Sequence, residues 1–403
     1  MEKTKNIPKI RFKGYNDEWG KDKLSDLCDV RDGTHDSPKY FDYGYYFITS
    51  KNVKNGYVNF DDVKFISKED YDAINKRSKV DVGDILFGVI GTIGNIALVK
   101  HEPNYAIKNV ALIKDIDKIY NYYNYYCLQS QNVEKQLDFG LDGGTQKFLS
   151  LKSIRGLSIN YPSIEEQKQI GSLFKNLDEK LEIEREKHEK LVNFKKAMLE
   201  NVFPKEGEKR PKIRFGGYND DWMNISFKDI YSEVLSGNRL PRKGLSKGSI
   251  PYVIASTVNN GVYMTIDKNT LDYNGNIMKK FKANSITFSI DNPEAIFLQK
   301  EEFYTSNIMR ILYREDLDEY QQTFFMYSLK SVAKGYDWSI KFSGPVAMNS
   351  NFKVPAIDSK INYEEIRLIG NVLLNLDEKI QVSEEKISKI EKFKKAMMEA
   401  MFV

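Results

Sequence analysis

The sequence has little cysteine, no long apolar run and almost no excess of either charge. Its 403 residues include only two cysteines, which excludes a disulfide framework and makes a reduced, cytoplasmic setting the expectation. No stretch approaches the roughly 18 apolar residues that span a bilayer, and the first residues lack an apolar signal-peptide run, so we expect no membrane partner. A net charge of +4 from 61 basic and 57 acidic side chains does not by itself indicate nucleic-acid binding.

Motifs for catalysis and cofactor binding are also missing, so the sequence predicts no catalytic residues. Gly88, Gly91 and Gly94 do not form the G-x-G-x-x-G pattern of dinucleotide sites, and neither GxxxxGKS nor GxxxxGKT occurs. The DNPE segment at 291–294 lacks the second proline and the aromatic residue of the clamp that holds a flipped adenine in methyltransferases. The three histidines are scattered and, with two distant cysteines, predict no metal site.

What the chain does contain is an internal duplication. PKIRFKGYNDEW at 8–19 returns as PKIRFGGYNDDW at 211–222, and the NLDEK…FKKAM segment at 176–203 returns at 375–402. The protein is therefore predicted to consist of two tandem half-modules. Such a frame suits a protein that contacts two different things at a fixed separation better than it suits an enzyme with one active site.

Both copies of the NLDEK…FKKAM segment predict a long amphipathic helix. Apolar residues recur every three or four positions from about 164 to 203, and the second copy repeats this register. Forty residues make about 60 Å of helix, whose narrow apolar stripe needs another helix as partner. We expect the two copies to pair antiparallel within one chain, with Glu184 and Ser383 as polar breaks that set the register. The alternative is a coiled coil between separate chains.

The segments between the repeated ends diverge, and we call them the first insert (31–160) and the second insert (235–355). Each is predicted to be a compact α+β domain built from short β-rich runs. One helix is predicted near the end of each insert, at 119–137 in the first and at 318–335 in the second. The predicted strands are at 45–50, 84–91, 95–100, 110–114, 250–256, 284–290 and 308–313. The predicted domains are a first α+β domain (1–162), a first spacer helix (163–203), a linker (204–210), a second α+β domain (211–357) and a second spacer helix (358–403).

Four segments carry a resemblance to a known family. They are DGTHDSPKYFDYGYYFITSKNVKNG at 32–56, VGDILFGVIGTIGNIALV at 82–99, GGTQKFLSLKSIRGLSINYPSIEEQKQIG at 143–171 and the two NLDEK…FKKAM helices. In these and in its order of domains, the chain resembles the specificity subunit of type I restriction–modification enzymes over essentially its whole length.

The resemblance implies a protein without chemistry of its own. Two target-recognition domains would each recognise one half of a bipartite sequence in double-stranded DNA. The paired helices would dock two methylation subunits, and restriction subunits would join the full complex. No cofactor is expected in this chain, since AdoMet, ATP and Mg²⁺ would belong to the partner subunits. Two alternatives are a coiled-coil adaptor whose β-rich domains bind protein, and a fragment of a fused methyltransferase–nuclease.

Candidate DNA contacts in the first insert lie on three turn-rich segments. The GTHDSPKY loop and the SKN segment combine small hydroxyls, an imidazole, lysines and an asparagine that suits adenine, although both could be ordinary turns. In the GGTQK segment, two glycines allow close backbone approach beside three donors. The candidates are Thr34, His35, Ser37, Lys39, Lys51, Asn52, Gly143, Gly144, Thr145, Gln146 and Lys147.

The second insert departs from the family pattern, because it has neither GTHxSP nor GGTQ. Its loop at 236–249 is basic without any acidic residue, which favours a phosphate-facing segment over a plain solvated loop. The region that corresponds to the GGTQK segment is 334–352, and its nearest equivalents are Lys341, Ser343 and Gly344. The candidates are Arg239, Arg242, Lys243, Lys247, Lys341 and Ser343.

Overall fold

The computed structural model describes residues 6–91, 93–139, 141–142, 148–239, 245 and 247–403. The chain divides into two compact units. The first unit comprises Met1–Arg185 with Glu385–Val403, and the second unit comprises Glu186–Glu384. Each long helix is therefore shared between the units, instead of forming a spacer domain separate from the recognition domains.

The first unit is built around two small sheets. One sheet is antiparallel with strand order β2-β8-β5-β6, and the other has the order β4-β3-β7 with β3 and β7 parallel. Its strands are β1 Gly20–Lys23, β2 Cys28–Asp32, β3 Tyr45–Thr49, β4 Lys64–Ile66, β5 Ile85–Gly88, β6 Ile96–Leu98, β7 Tyr105–Lys108, β8 Val110–Asp115, β9 Leu141–Asp142, β10 Phe148–Leu149 and β11 Ser158–Tyr161. Its helices are α1 Leu24–Leu27, α2 Lys68–Ser78, α3 Asn121–Cys127, α4 Gln131–Phe139, α5 Leu151–Arg155 and the first part of α6 Ile164–Val202.

The second unit repeats this arrangement in a sequence that aligns poorly with the first. The sheet β13-β19-β16-β17 matches β2-β8-β5-β6, and β15-β14-β18, with β14 and β18 parallel, matches β4-β3-β7. Its strands are β12 Met223–Ser226, β13 Leu235–Ser236, β14 Lys247–Val253, β15 Val262–Ile266, β16 Ser285–Ser289, β17 Ile296–Gln299, β18 Tyr304–Thr305, β19 Met309–Leu312, β20 Asn351–Val354, β21 Ala356–Ile357 and β22 Lys360–Ile361. Its helices are α7 Glu319–Lys334, α8 Gly344–Asn349 and the first part of α9 Tyr363–Met401.

All seven predicted β-rich runs contain a strand, and the long helices begin and end close to the predicted positions. The single helix predicted at 119–137 is wrong, because the chain forms α3 and α4 there. After α3, the N–H groups of Gln129 and Ser130 donate to carbonyls only three residues back, which tightens the last turn and ends the helix. The hydroxyl of Ser130 then accepts from the N–H of Val133 at the start of α4.

Similar N-terminal caps start both long helices. The hydroxyl of Ser163 accepts from the N–H of Glu166, and the side-chain oxygen of Asn362 accepts from the N–H of Glu365. Each helix has 39 residues and is therefore about 58 Å long. Among the described residues, none of the helices is long and apolar enough to cross a membrane.

The long helices contribute to the hydrophobic core of both units. Ile170 and Phe174 near the start of α6 are buried in the first unit, together with Met401 at the end of α9. Met198 and Val202 at the end of α6 are buried in the second unit. Burial of one such side chain contributes about 1.5–3 kcal/mol, so each recognition domain depends on both helices for its stability.

Candidate nucleic-acid interface

One end of the first unit gathers loops from several parts of the first insert. Thr34 follows β2 and forms an isolated parallel bridge to Lys108 at the end of β7. The Thr34 N–H donates to the carbonyl of Ile107 (3.0 Å), and the Asn109 N–H donates to the carbonyl of Thr34 (3.1 Å). A Cβ at Gly33 would collide with the Ile107 carbonyl, so the approach of the two segments requires glycine.

Exposed polar side chains surround this bridge and form what we call the His35 cluster. The imidazole Nδ1 lies 2.8 Å from Oδ1 of Asn109, and Nε2 lies 3.0 Å from Oδ2 of Asp32. The side chain of His35 is nevertheless 69% exposed. The cluster consists of Asp32, His35, Ser37, Arg77, Lys108 and Asn109, with Arg77 paired to Asp32 and the Lys108 ammonium donating to the hydroxyl of Ser37.

The structure therefore brings together Thr34, His35 and Ser37 from the predicted set. Lys39 is exposed nearby in sequence, with its ammonium 5.4 Å from the centre of the Phe41 ring. Lys51 is also exposed and pairs with Asp62 at 2.7 Å, which lowers the pKa of that carboxyl group. Both lysines can reach a phosphate.

The prediction that Asn52 contacts adenine is wrong, because its side chain is buried and all of its hydrogen-bonding groups are engaged. Its Oδ1 accepts from the N–H and from the hydroxyl of Thr49, at 3.0 and 2.8 Å. Its Nδ2 donates to the carbonyls of Asn59 and Asp62. An amide has two donors and two acceptor lone pairs, and all four are engaged here. Asn52 supports the loop and has no free group for a base.

Ser50 ties three loops of this end together. Its hydroxyl accepts from the N–H groups of Val89 (3.0 Å) and Ile90 (3.3 Å) and donates to the carbonyl of Asn109. The Leu149 N–H donates in turn to the carbonyl of Val89, so the chain that follows the GGTQK segment lies beside the same loop. Gly143, Gly144, Thr145, Gln146 and Lys147 themselves lie outside the described residues.

The second unit uses the same backbone arrangement with other side chains. A Cβ at Gly237 would collide with the carbonyls of Thr305 and Ser306, and Asn238 bridges to Ser306 in parallel. Asn238 thus takes the position of Thr34, and Arg239 that of His35. The Arg239 guanidinium lies 4.0 Å from the centre of the Tyr273 ring.

The other second-insert candidates are more dispersed. Lys247 is exposed at the first position of β14. Arg242 and Lys243 lie outside the described residues. Lys341 is exposed, and its ammonium is 3.9 Å from the carboxylate of Asp291.

The equivalence of Lys341 and Ser343 with the GGTQK segment was wrong. The Phe342 N–H donates to the carbonyl of Ile290, as the Leu149 N–H does to Val89. Ser343 caps α8 as Ser150 caps α5, through a hydroxyl that accepts from the N–H of the third residue on. Ser343 is therefore a helix cap, which explains its presence without DNA.

The NLDEK motif of one long helix meets the FKKAM motif of the other in an ionic cluster. Each unit contains one such cluster. In the first unit, the carboxylate of Asp178 in NLDEK on α6 accepts from the Tyr126 hydroxyl (2.7 Å) and pairs with Lys394 in FKKAM on α9 (2.5 Å). Burial, reinforced by the neighbouring aspartate, raises the pKa of Tyr126.

In the second unit, α9 supplies the aspartate and α6 supplies the lysine. Asp377 on α9 accepts from the Tyr327 hydroxyl at 2.7 Å and pairs with Lys195 on α6. The duplicated motifs are thus explained, since the aspartate of one copy pairs with the first FKKAM lysine of the other copy.

The helices run antiparallel within each unit, as predicted. In the first unit Asp178 contacts Lys394, and further along α6 Arg185 contacts Glu391 (2.5 Å), which is earlier on α9. Glu184 Oε2 and Ser383 Oγ are buried and, among the described residues, have no hydrogen-bond partner. These polar atoms sit in the apolar stripes of their helices, as expected for register markers.

Comparison with known proteins finds a family to which this chain is similar. Residues 16–193 match the family model described as the type I restriction modification DNA specificity domain. The MjaVIII specificity subunit of Methanocaldococcus jannaschii is 27% identical over 210 residues, 48% of each chain. The MjaIX specificity subunit of the same organism is 24% identical over 295 residues, 67% of this chain and 66% of the relative. The chain is thus similar to type I specificity subunits and contains a match to their DNA specificity domain.

The fold of a specificity subunit is also found by structural comparison. The S subunit of a type I restriction–modification system from M. genitalium superposes with a TM-score of 0.72 at 15% identity, covering 98% of this chain and 99% of that one. These relatives are named specificity subunits and the matched domain is described as a DNA specificity domain, so the protein-binding adaptor is not favoured.

A buried ion pair anchors each repeated PKIRF segment of this chain. Arg11 donates two hydrogen bonds of 2.8 Å to Glu166, whose side chain is fully buried, and Arg214 does the same to Glu365 at 2.7 and 3.0 Å. Such bidentate pairs join each half-module's first residues to the start of its long helix.

Lys108 and Asn109 belong to the loop end but were missed by the sequence reasoning. A usable signal existed, because the Lys-Asn-Val tripeptide of 51–53 recurs at 108–110. Nothing in the sequence indicates which asparagine is buried. Within the described ranges, no cluster of three or more histidine, cysteine or acidic side chains is placed to hold a metal ion.

Proposed function

We propose that this chain directs a type I restriction–modification complex to a bipartite DNA sequence, with each insert reading one half. One observation carries the proposal: the two units place Gly33 and Gly237 at the same backbone junction but surround them with different side chains. A shared frame with different exposed groups is what recognition of two different half-sites requires.

The chemistry of the two loop ends supports this division. The first end offers the His35 cluster with Lys108, and the second offers Arg239 stacked on Tyr273. Lysine and arginine contact phosphates and guanine, and asparagine contacts adenine, so both ends can combine backbone positioning with base recognition. The similarity to proteins named specificity subunits supports a chain that carries no catalytic activity.

Exposed apolar residues on the long helices support docking of two copies of one partner. Ile183 and Phe393 in the first unit are 65% and 50% exposed, and their repeat equivalents Val382 and Phe194 in the second unit are 51% and 54% exposed. Each unit therefore presents the same pair of apolar side chains. We assign these helix faces to two methylation subunits, which would bind AdoMet, while restriction subunits would bring the ATP and Mg²⁺ chemistry to this cytoplasmic complex.

The test is co-expression with the methylation subunit in a host without other methylases, followed by sequencing that reports modified adenines. We expect a split motif that is methylated only when this chain is present. The purified chain without its partner should methylate nothing, and its duplex binding should weaken linearly in log affinity with log salt. A stable complex that neither methylates a motif nor binds duplex DNA would contradict the proposal and favour the adaptor.

A further inference from the structure

We propose that Asn109 reads an adenine in the half-site of the first unit and that His35 is the positioning residue for its amide. The inference rests on the proposed DNA-reading function and adds a base and a residue to it. It depends on three observations: a fixed backbone, an amide with free hydrogen-bonding capacity, and a neighbour that holds this amide in place.

The backbone of Asn109 is held on both sides. Its N–H donates to the carbonyl of Thr34, and its carbonyl accepts from the hydroxyl of Ser50. Its φ of 51° is left-handed, a conformation in which asparagine is one of the few favoured residues besides glycine. The side chain therefore starts from a defined position at the junction of three loops.

The side chain of Asn109 keeps the groups that adenine recognition needs. Oδ1 lies 2.8 Å from Nδ1 of His35, a contact that engages one position of the amide and leaves the other three. Among the described residues, no other group bonds to this amide. An adenine can therefore donate from N6 to Oδ1 and accept at N7 from Nδ2, which is the pairing that asparagine makes in the major groove.

The contrast with Asn52 makes this assignment specific. Both asparagines follow a lysine, both lie at this end of the unit, and both belong to loops joined by Ser50. The amide of Asn52 is only 4% exposed and has every donor and acceptor in use. Asn109 is partly exposed, and among the described residues only one of its four hydrogen-bonding positions is engaged.

His35 orients the amide because it is itself held from the other side. Nε2 bonds to Asp32, whose second oxygen pairs with Arg77. The ring is held by contacts at both nitrogens, and this fixes where the Asn109 amide lies. Lys108 precedes Asn109 in the chain, and its ammonium donates to the hydroxyl of Ser37. From there the ammonium can contact a phosphate beside the base.

The second unit places Asn307 after Ser306 as the first places Asn109 after Lys108, but Asn307 is not among the described residues with a left-handed φ, and no imidazole stands beside it. Asn238 occupies the position of Thr34, but its Nδ2 donates to Asp272 and its Oδ1 accepts from the N–H of Lys279. Its amide is committed to the loop, and Arg239 stands where His35 does. The effect of Asn109 should therefore be confined to one half of the recognised sequence.

The experiment is methylation-motif sequencing of complexes that carry Asn109→Gly, Asn109→Asp or Arg239→Ala. Glycine keeps the left-handed backbone and removes only the side chain. Asn109→Gly should lower the preference for adenine at one position of one half-site by about 10- to 100-fold, the range that one bidentate contact supplies. Asn109→Asp should favour cytosine there, since a carboxylate accepts from the N4 amino group. Arg239→Ala should leave that half unchanged.

His35→Ala should relax the same position as Asn109→Gly but less completely, and His35→Gln, which can still donate to the amide oxygen, should restore most of the preference. If Asn109→Gly leaves the wild-type motif unchanged, the inference about Asn109 is overturned while the proposed function stands. Loss of preference in both halves would overturn it as well, because the effect would not be local. Absence of any motif with the wild-type chain, despite a stable complex, would overturn the proposed function and the inference together.

Discussion

At the residue scale, the surroundings of a side chain outweigh its chemical type. Lys330 on α7 illustrates this. It follows Tyr327 by three residues, and the equivalent position of the first unit, three residues after Tyr126, is Gln129. Its ammonium lies 5.3 Å from the centres of the Phe297 and Tyr327 rings, and burial lowers its pKa to about 8. The first unit has a neutral side chain at this place.

Replacement of Lys330 by the glutamine of the first unit should therefore stabilise the second unit. Below about pH 8 the lysine is charged in both the folded and the unfolded chain, so the cost of burying the charge is fully present. From pH 8 towards the ordinary value near 10.5, only the unfolded chain keeps the proton, and the free energy of unfolding rises with pH. Lys330→Gln should raise the free energy of unfolding by about 1–3 kcal/mol at pH 7. It should also make the free energy of unfolding depend less on pH between pH 8 and 10.5.

Thermal unfolding at pH 7 and pH 9 tests this, with Lys334→Gln on the exposed side of the same helix as the control. Equal stability of Lys330→Gln and wild type at pH 7 would show that the two aromatic rings compensate the buried charge in full.

At the element scale, the two long helices are paired by matched ionic clusters. Each cluster takes its aspartate from one helix and its lysine from the other, and a tyrosine of the recognition domain completes it. The recognition domain, α6 and α9 are thus joined at a single carboxylate. The direction and register of the helix pair follow from this chemistry as much as from the apolar stripe.

Lys394→Met should destabilise the first unit by about 1–3 kcal/mol, because it leaves the half-buried carboxylate of Asp178 with only the Tyr126 hydroxyl. Asp178→Asn combined with Lys394→Met should recover part of this loss, since the amide needs no counter-ion. Denaturant unfolding provides the measurement, and Lys395→Met, next in sequence but exposed, is the matched control. A loss below about 0.5 kcal/mol would mean that the cluster marks the register without stabilising it.

At the scale of the whole molecule, one chain presents the same helix surface twice. Ile183 with Phe393 and Val382 with Phe194 are equivalent positions of the duplicated sequence, one pair in each unit. Exposed apolar residues that recur at both places favour two copies of the same partner.

Phe194→Glu and Phe393→Glu should each remove one methylation subunit, because a charge would be buried in an apolar contact. We expect native mass spectrometry to give two methylation subunits with the wild-type chain, one with either single variant and none with the double variant. Affinity at the altered place should fall at least about tenfold. Tyr43→Glu, which changes an 84% exposed aromatic residue of the first insert, is the control. Two bound subunits with the double variant would place docking elsewhere.

Much of this protein could be predicted from its sequence, because the signals are local or repeated. Helix periodicity extends over 39 residues in each copy, and repetition of the same motif made the intramolecular pair the simplest arrangement. The β-rich runs also contain strands as predicted. These features depend on spacing along the chain, which the sequence states directly.

Tertiary structure settled the features that depend on distant neighbours. Whether an asparagine is free or engaged depends on side chains and carbonyls from other segments, which is why Asn52 is engaged in its loop and Asn109 is the proposed adenine contact. The match of Ser343 to Ser150 emerged from strand and cap geometry, because the two inserts share few residues. The division of each long helix between two units likewise follows from packing, since Phe174 and Val202 are buried in different cores.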